Sequence, residues 1–314
     1  MAIATTTQTE QLSAPKRLSR FFFNHPRLVL VILLAVPLTW LIVLYLGPLI
    51  VLAIQSFFYV DDFSGVMVKQ LSLATYADLF TPPNMEIVER TVIMAAAVTL
   101  ADVIIAFPLA YYLGRFAKGR IKSLLYLGVL LPLWSSYLVR VYAWKLILAN
   151  EGVANWFFEA VHLTGFRDWL LSLPVIGGSS LSFSYLGMFL VFVYIWLPYM
   201  ILPINAALER VPRSLLDASS DLGAKPFTTF RKVILPLVFP GIIAGSIFTF
   251  SLTLGDYIIP TVIGNSSYFI GPAVNRLQGT SGNIPLAAAF TIVPMAIMGV
   301  YLLLARRTGA FDAL

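Results

Sequence analysis

The sequence predicts an all-α integral membrane protein with six transmembrane helices, and three observations carry that prediction. Of 314 residues, 59% are hydrophobic and only 11% charged, against roughly 25% charged in a soluble domain. The apolar residues collect into six runs of about twenty or more, enough at about 1.5 Å per residue to cross roughly 30 Å of hydrocarbon. Lys and Arg gather in short segments between alternate runs, the arrangement that orients a chain in a bilayer. The net charge of +6 is therefore read as topology, and nucleic acid is excluded as a partner. With no Cys and only His25 and His162, a disulfide framework, a thiolate metal site and a His-rich metal site are excluded as well.

Residues 1–27 form a polar, then basic tail with Lys16, Arg17, Arg20 and Arg27. The apolar run 28–54 exceeds the hydrophobic stretch of a signal peptide and has no prompt small-residue cleavage site, so it reads as an uncleaved first span. The next segment holds Asp61, Asp62, Asp78, Glu86 and Glu89 against Lys69 and Arg90, with Gly65 and Pro82-Pro83, and is placed outside. A second span covers 92–113, and the loop after it, with Arg115, Lys118, Arg120 and Lys122, lies inside. The third span is 124–148. In the outer segment that follows, NWFFEAVHL makes a short interfacial helix, with Trp156 and Trp169 at headgroup level.

The fourth span, 183–202, leads to the long polar segment 209–236, and the fifth, 235–259, to an outer loop with Asn265, Gly271 and Arg276. The sixth, 285–304, ends at Arg306 and Arg307 and the short tail 306–314. Fifteen of the 21 Lys and Arg then fall on the inner side, which puts both termini in the cytoplasm. Residues 28–305 form one membrane domain between two cytoplasmic tails.

Within 209–236, two short helical runs, 214–222 and 227–233, are separated by Gly223-Ala224-Lys225-Pro226, where Gly lets a helix end at positive φ and Pro starts the next. The segment reads as a helix-turn-helix lying across the cytoplasmic membrane face. Ionisable residues inside spans mark pathways. Asp102 sits mid-span and reads either as a helix–helix hydrogen bond to a nearby Ser or Thr or as a pathway residue; Asp256, near the outer end of the fifth span, reads as pathway or as plain interfacial exposure. Arg140 and Lys145 read as snorkelling outward. Tyr185, Phe189, Phe192, Trp196 and Tyr199 fall on one helical face, and Trp134, Tyr137 and Trp144 on another. Such faces serve packing, or else an elongated organic cation by cation–π contact.

No phosphate loop, H-E-x-x-H or G-x-S-x-G motif occurs, so ATP binding and hydrolysis have no residues here. Asp217-Ala218-Ser219, Gly223 and Val233-Ile234-Leu235-Pro236 resemble the EAA loop of ABC-importer permeases, with Asp, Ser and Val where that family usually has Glu, Ala and Ile. The stretches 91–115, 131–148, 195–208 and GDYIIPTVIG (255–264) resemble spermidine/putrescine importer permeases, and Asp256 stands where Glu is usual. The resemblance implies the type I ABC importer permease fold with cytoplasmic coupling helices, a bacterial inner-membrane location and alternating access. It implies that Asp217, Ala218, Ser219, Gly223, Ala224, Lys225, Leu235 and Pro236 meet a separate ATPase. The ionisable and aromatic residues of the spans supply the candidate substrate pathway: Asp256, Tyr257, Asp102, Trp134, Tyr137, Trp196 and Tyr199. The partners the resemblance implies are two ATPase subunits that use ATP and Mg²⁺, a second permease or another copy of this one, and an extracytoplasmic binding protein. The chain itself then binds no cofactor and is no enzyme. The same permease role for an amino-acid-like, opine, phosphonate or iron-carrying solute stays open, and an ion-coupled secondary transporter or a membrane enzyme stands against it.

Overall fold

The computed structural model describes residues 22–61, 63–264 and 268–307. Lys16, Arg17, Arg20, Asp62, Asn265 and the tail beyond 307 lie outside the described residues. The chain divides into two compact units, Met1–Ile54 and Gln55–Leu314.

In the first unit, helix α1 (Pro26–Gln55) begins with proline in its first turn, where the missing N–H costs nothing. It is apolar on every side and buries none of its residues, the character of a lipid-facing helix. A π-helical turn, Leu41–Leu46, precedes Pro48.

The second unit opens on a hairpin, β1 (Tyr59–Val60) and β2 (Met67–Val68), pairing Tyr59 with Val68 and Val60 with Met67. Asp61 organises its turn by accepting from Ser64 N at 2.8 Å and Ser64 Oγ at 2.9 Å. The backbone bond to Ser64 above all holds the Asp61 carboxyl below its ordinary pKa. Then come α2 (Ala74–Leu79), α3 (Pro82–Arg115), α4 (Gly119–Trp134), α5 (Tyr137–Ile147), α6 (Val153–Ala160) and α7 (Thr164–Ser172). They are followed by α8 (Tyr185–Arg210), α9 (Arg213–Asp221), α10 (Pro226–Gly255), α11 (Ile258–Val262), α12 (Ile270–Gly279) and α13 (Ile284–Arg306).

Helix α8 is the centre of this unit. It packs against α3 and α10, and Phe192, Ile195, Ile204 and Leu208 along it are wholly or almost wholly buried. Lipid tails are as apolar as leucine, so helix association in a bilayer rests on close packing and small contact residues. The contact faces supply them: Ala106 and Ala110 of α3 are fully buried, and Gly241 and Gly245 of α10 meet Pro203, Ala207 and Met200 of α8. A second core joins Leu79 of α2, Ile87 of α3, Leu277 of α12 and Phe290 of α13.

Among the described residues, five helices are long and apolar enough to cross a membrane, and six crossings result if α4 and α5 together form one. That crossing is broken: α4 and α5 meet at 98°. The expected continuous span 124–148 is thus corrected. Pro132 removes a helical donor and Ser135 takes extended backbone, φ −83° and ψ 151°, which ends the helix within an apolar run. Pro82-Pro83 opens α3 where a loop was expected, as proline in a first helical turn allows. The fifth crossing stops at Gly255, short of 259. The short helix expected in NWFFEAVHL forms as α6, and Trp156 and Trp169 are both exposed.

Candidate functional site

Helix α10 ends at Gly255 and Asp256 takes extended backbone, φ −72° and ψ 132°. Its Oδ1 accepts from Ile258 N at 2.7 Å and Ile259 N at 3.0 Å, satisfying donors at the start of α11 that have no helical partner. Its other oxygen accepts the phenolic hydrogen of Tyr137, at the start of α5 just beyond the break. The Tyr137 ring stacks on Trp196 of α8 at 5.7 Å and 18°, and Trp196 meets Tyr199 edge-on at 5.7 Å and 64°. The Trp196 indole nitrogen is buried without an acceptor among the described residues. Three elements thus bring one carboxylate, Tyr137, Trp196 and Tyr199 together, and Asp256 is bonded rather than merely exposed.

Other candidates fall elsewhere. Trp134 lies on the α4 side of the break, 79% exposed, so the expected face it shares with Tyr137 and Trp144 does not form. Tyr257 is 49% exposed and faces a separate cavity of about 490 Å³ with Asn275, Gln278 and Thr291. Of the aromatic face of α8, Phe192 belongs to the core and Tyr185 packs on Phe269. Asp102 is 0% exposed and neither carboxylate oxygen has a partner among the described residues. The expected Ser or Thr bond is absent: Thr99 donates to Ala95 O, and Thr249 to Thr99. Arg140, one turn along α5 from Tyr137, does not snorkel free, since its Nε and Nη1 are buried and have no acceptor among the described residues.

The segment 209–236 keeps Asp217, Ala218 and Ser219 on α9. That helix closes with Gly223 N on Ser220 O at 2.8 Å and Ala224 N on Ser219 O at 3.1 Å, with Gly223 at φ 74°. Lys225 is extended and Pro226 opens the next helix, but the second run is no separate helix: it is the first turns of α10. A π turn, Phe230–Ile234, stands just before Leu235-Pro236. Proline at 236 has no N–H and presses on the carbonyl four residues back, and the wider turn accommodates both; the π turn before Pro48 in α1 repeats the pattern. Ser219 Oγ lies 2.9 Å from Thr229 Oγ1, joining α9 to α10. Tyr126, Asn205 and Glu209, none of them a candidate from the sequence, are bonded in a chain through the Tyr126 hydroxyl where α8 runs into this segment. Among the described residues, no group of three or more His, Cys, Asp or Glu is placed to hold a metal ion.

Residues 90–308 match the family described as binding-protein-dependent transport system inner membrane component. The chain is 52% identical to the inner membrane ABC transporter permease protein YdcU of Escherichia coli (strain K12), covering 95% of each chain. It is 29% identical to the spermidine/putrescine transport system permease protein PotB of the same strain, over 84% of this chain and 92% of that one. Among solved structures it is similar to a bacterial alginate ABC transporter in complex with alginate pentasaccharide-bound periplasmic protein, with TM-score 0.71 and 15% identity, covering 94% of this chain and 98% of that one. The fold is that of type I ABC importer permeases. The chain belongs to the binding-protein-dependent transport system inner membrane component family.

Proposed function

We propose that this chain, a permease subunit of an ABC importer, carries a polyamine such as putrescine or spermidine, or a similar small organic cation, by alternating access. The observation that carries the reading is the Asp256 carboxylate held by Tyr137 beside the Trp196 ring, a pairing of negative charge and aromatic face that suits an ammonium group on an aliphatic chain. The name of the relative PotB supports the solute class. Asp102 is a second point on the path: a buried carboxylate without a donor is costly, and a passing cation supplies one.

The chain is non-catalytic and binds no cofactor. Two ATPase subunits, using ATP and Mg²⁺, seat the segment 209–236 through Asp217, Ala218, Ser219, Gly223, Ala224, Lys225, Leu235 and Pro236. A second permease, homologous or identical, and an extracytoplasmic binding protein complete the transporter, and both termini are cytoplasmic. Helix α9 is joined to α10 and α8 through short connections, so closure of the ATPase pair moves these helices as rigid bodies.

One observation favours a second reading, an amino-acid-like solute. Arg140 is always charged and its buried Nε and Nη1 have no acceptor among the described residues, one turn from Tyr137, so a solute bearing a carboxylate as well as an ammonium would satisfy both ends. The test is uptake of labelled putrescine into proteoliposomes holding the whole transporter, with an ω-amino acid of equal length as competitor. The polyamine reading expects no competition and no effect of Arg140→Gln on the competitor. Strong competition abolished by Arg140→Gln would replace it with the second reading.

A further inference from the structure

The inner ends of three helices meet just before the segment 209–236, and a chain of hydrogen bonds crosses there. Asn205 Nδ2, on α8, donates to the Tyr126 hydroxyl on α4. That hydroxyl donates to Glu209 Oε1 at 3.0 Å, one turn further along α8, and Lys122 Nζ of α4 reaches the same oxygen at 2.7 Å. Gly114 of α3 lies against this point, where an added Cβ would come within 3.2 Å of Leu208 Cβ and 3.3 Å of Asn205 Oδ1. Arg115, the last residue of α3, donates from Nη2 to Val211 O at 3.1 Å. Val211 is buried and stands in the two-residue link between α8 and α9.

The parts differ in weight. Lys122 and Glu209 are 37% and 41% exposed in their side chains, and solvent weakens such a pair. Asn205 is 3% exposed and the Tyr126 ring is half-buried, so the phenol is the member that turns a surface ion pair into a link to the interior. The link fixes the last turn of α8 against α4, and the Arg115 bond fixes the peptide from which α9 departs. Neither reaches α9 itself, which leaves that helix free to be gripped from outside while its base is held.

The geometry points to Tyr126, Asn205 and Glu209, with Arg115, as positioning residues that hold the base of α9, so that force applied to the segment 209–236 moves α4 and α3 with α8. This rests on the reading of that segment as the ATPase contact, and it is independent of the solute.

The chain has no cysteine, so nitroxide labels at Ile121→Cys on α4 and Leu222→Cys at the end of α9 report the brace directly. Both positions are exposed. In the assembled transporter, with labelled chain diluted in unlabelled, a narrow distance distribution is expected. Glu209→Gln and Tyr126→Phe should each broaden it about twofold, and Glu209→Asp should restore most of the narrowing. The same variants should lower the ratio of binding-protein-stimulated to basal ATP hydrolysis by about threefold or more, in the range of coupling changes caused by residues outside the contact itself.

An unchanged distribution in both variants overturns the proposal, as does a ratio that falls only in proportion to ATPase lost from the complex. If the distribution broadens while wild type itself shows no stimulation, the ATPase reading fails and the brace stands. Tyr126→Phe removes a single oxygen and keeps the ring, so it decides the matter should Glu209→Gln fail to fold.

Discussion

Tyr137 donates its phenolic hydrogen to the carboxylate of Asp256, across the gap between the start of α5 and the end of α10. The bond ties two chain breaks together, one after Trp134 and one after Gly255. Its acceptor also satisfies two backbone donors of α11. Shape and charge at Asp256 are therefore separable. Asp256→Asn keeps an oxygen for Ile258 N and Ile259 N, whereas Asp256→Ala removes it and should cost about 1 kcal/mol more stability, the typical worth of such a cap. Unfolding titrations of the two variants in detergent check this; equal stabilities would mean that the backbone bonds contribute nothing.

Gly241 should tolerate no side chain. A Cβ there would sit 2.5 Å from Ala207 Cβ and 2.8 Å from Pro203 O, so Gly241→Ala should destabilise by about 1–3 kcal/mol through overpacking. Gly128 has open space around it within α4, and Gly128→Ala should stabilise by about 0.5–1 kcal/mol through helix propensity. Thermal unfolding of the two variants side by side reads the contrast.

Gly223 is a different case, because nothing lies within 4 Å of its missing Cβ and its φ is 74°. The cost of Gly223→Ala is then backbone strain alone, about 1–2 kcal/mol, and Gly223→Asn should cost less. Gly223→Asp should diminish ATPase stimulation and uptake, because it disturbs the turn that sets α9 against α10; assays of both in reconstituted vesicles check it.

Asp102 should show opposed effects. Replacing its buried carboxyl, which has no partner among the described residues, by an apolar side chain in Asp102→Val should raise stability by about 1 kcal/mol or more, while uptake falls if the proposed path loses its carboxyl. Melting temperature and initial uptake rate, measured on the same preparation, test both halves.

Much of this was legible in the sequence, because period, length and charge asymmetry are local quantities. The positions of α8 and α13 and the short helix α6 follow from them, and the end of α9 follows from Gly223. The break after Trp134 was not legible from hydropathy, since 124–148 averages as one apolar run despite Arg140 and Lys145; Pro132 and Ser135-Ser136 were the signal. The fusion of 227–233 into α10 depends on a π turn that absorbs Pro236, which the usual rule for proline at a helix start does not foresee. Asp256 and Tyr137 were each legible as candidates, but their bond joins positions 119 residues apart. Tyr126 and Glu209 gave no signal at all, because each alone is an ordinary residue near a helix end.

The most direct measurement is ATP-dependent uptake of radiolabelled putrescine by proteoliposomes containing this chain with the proposed second permease, homologous or identical, and ATPase pair, with binding protein outside, for wild type and Asp256→Asn. The account predicts uptake by wild type and, in the variant, ATP hydrolysis kept while uptake falls by about tenfold or more, the loss of one charge-assisted contact of roughly 1.5–3 kcal/mol. Uptake by Asp256→Asn at the wild-type rate would contradict it.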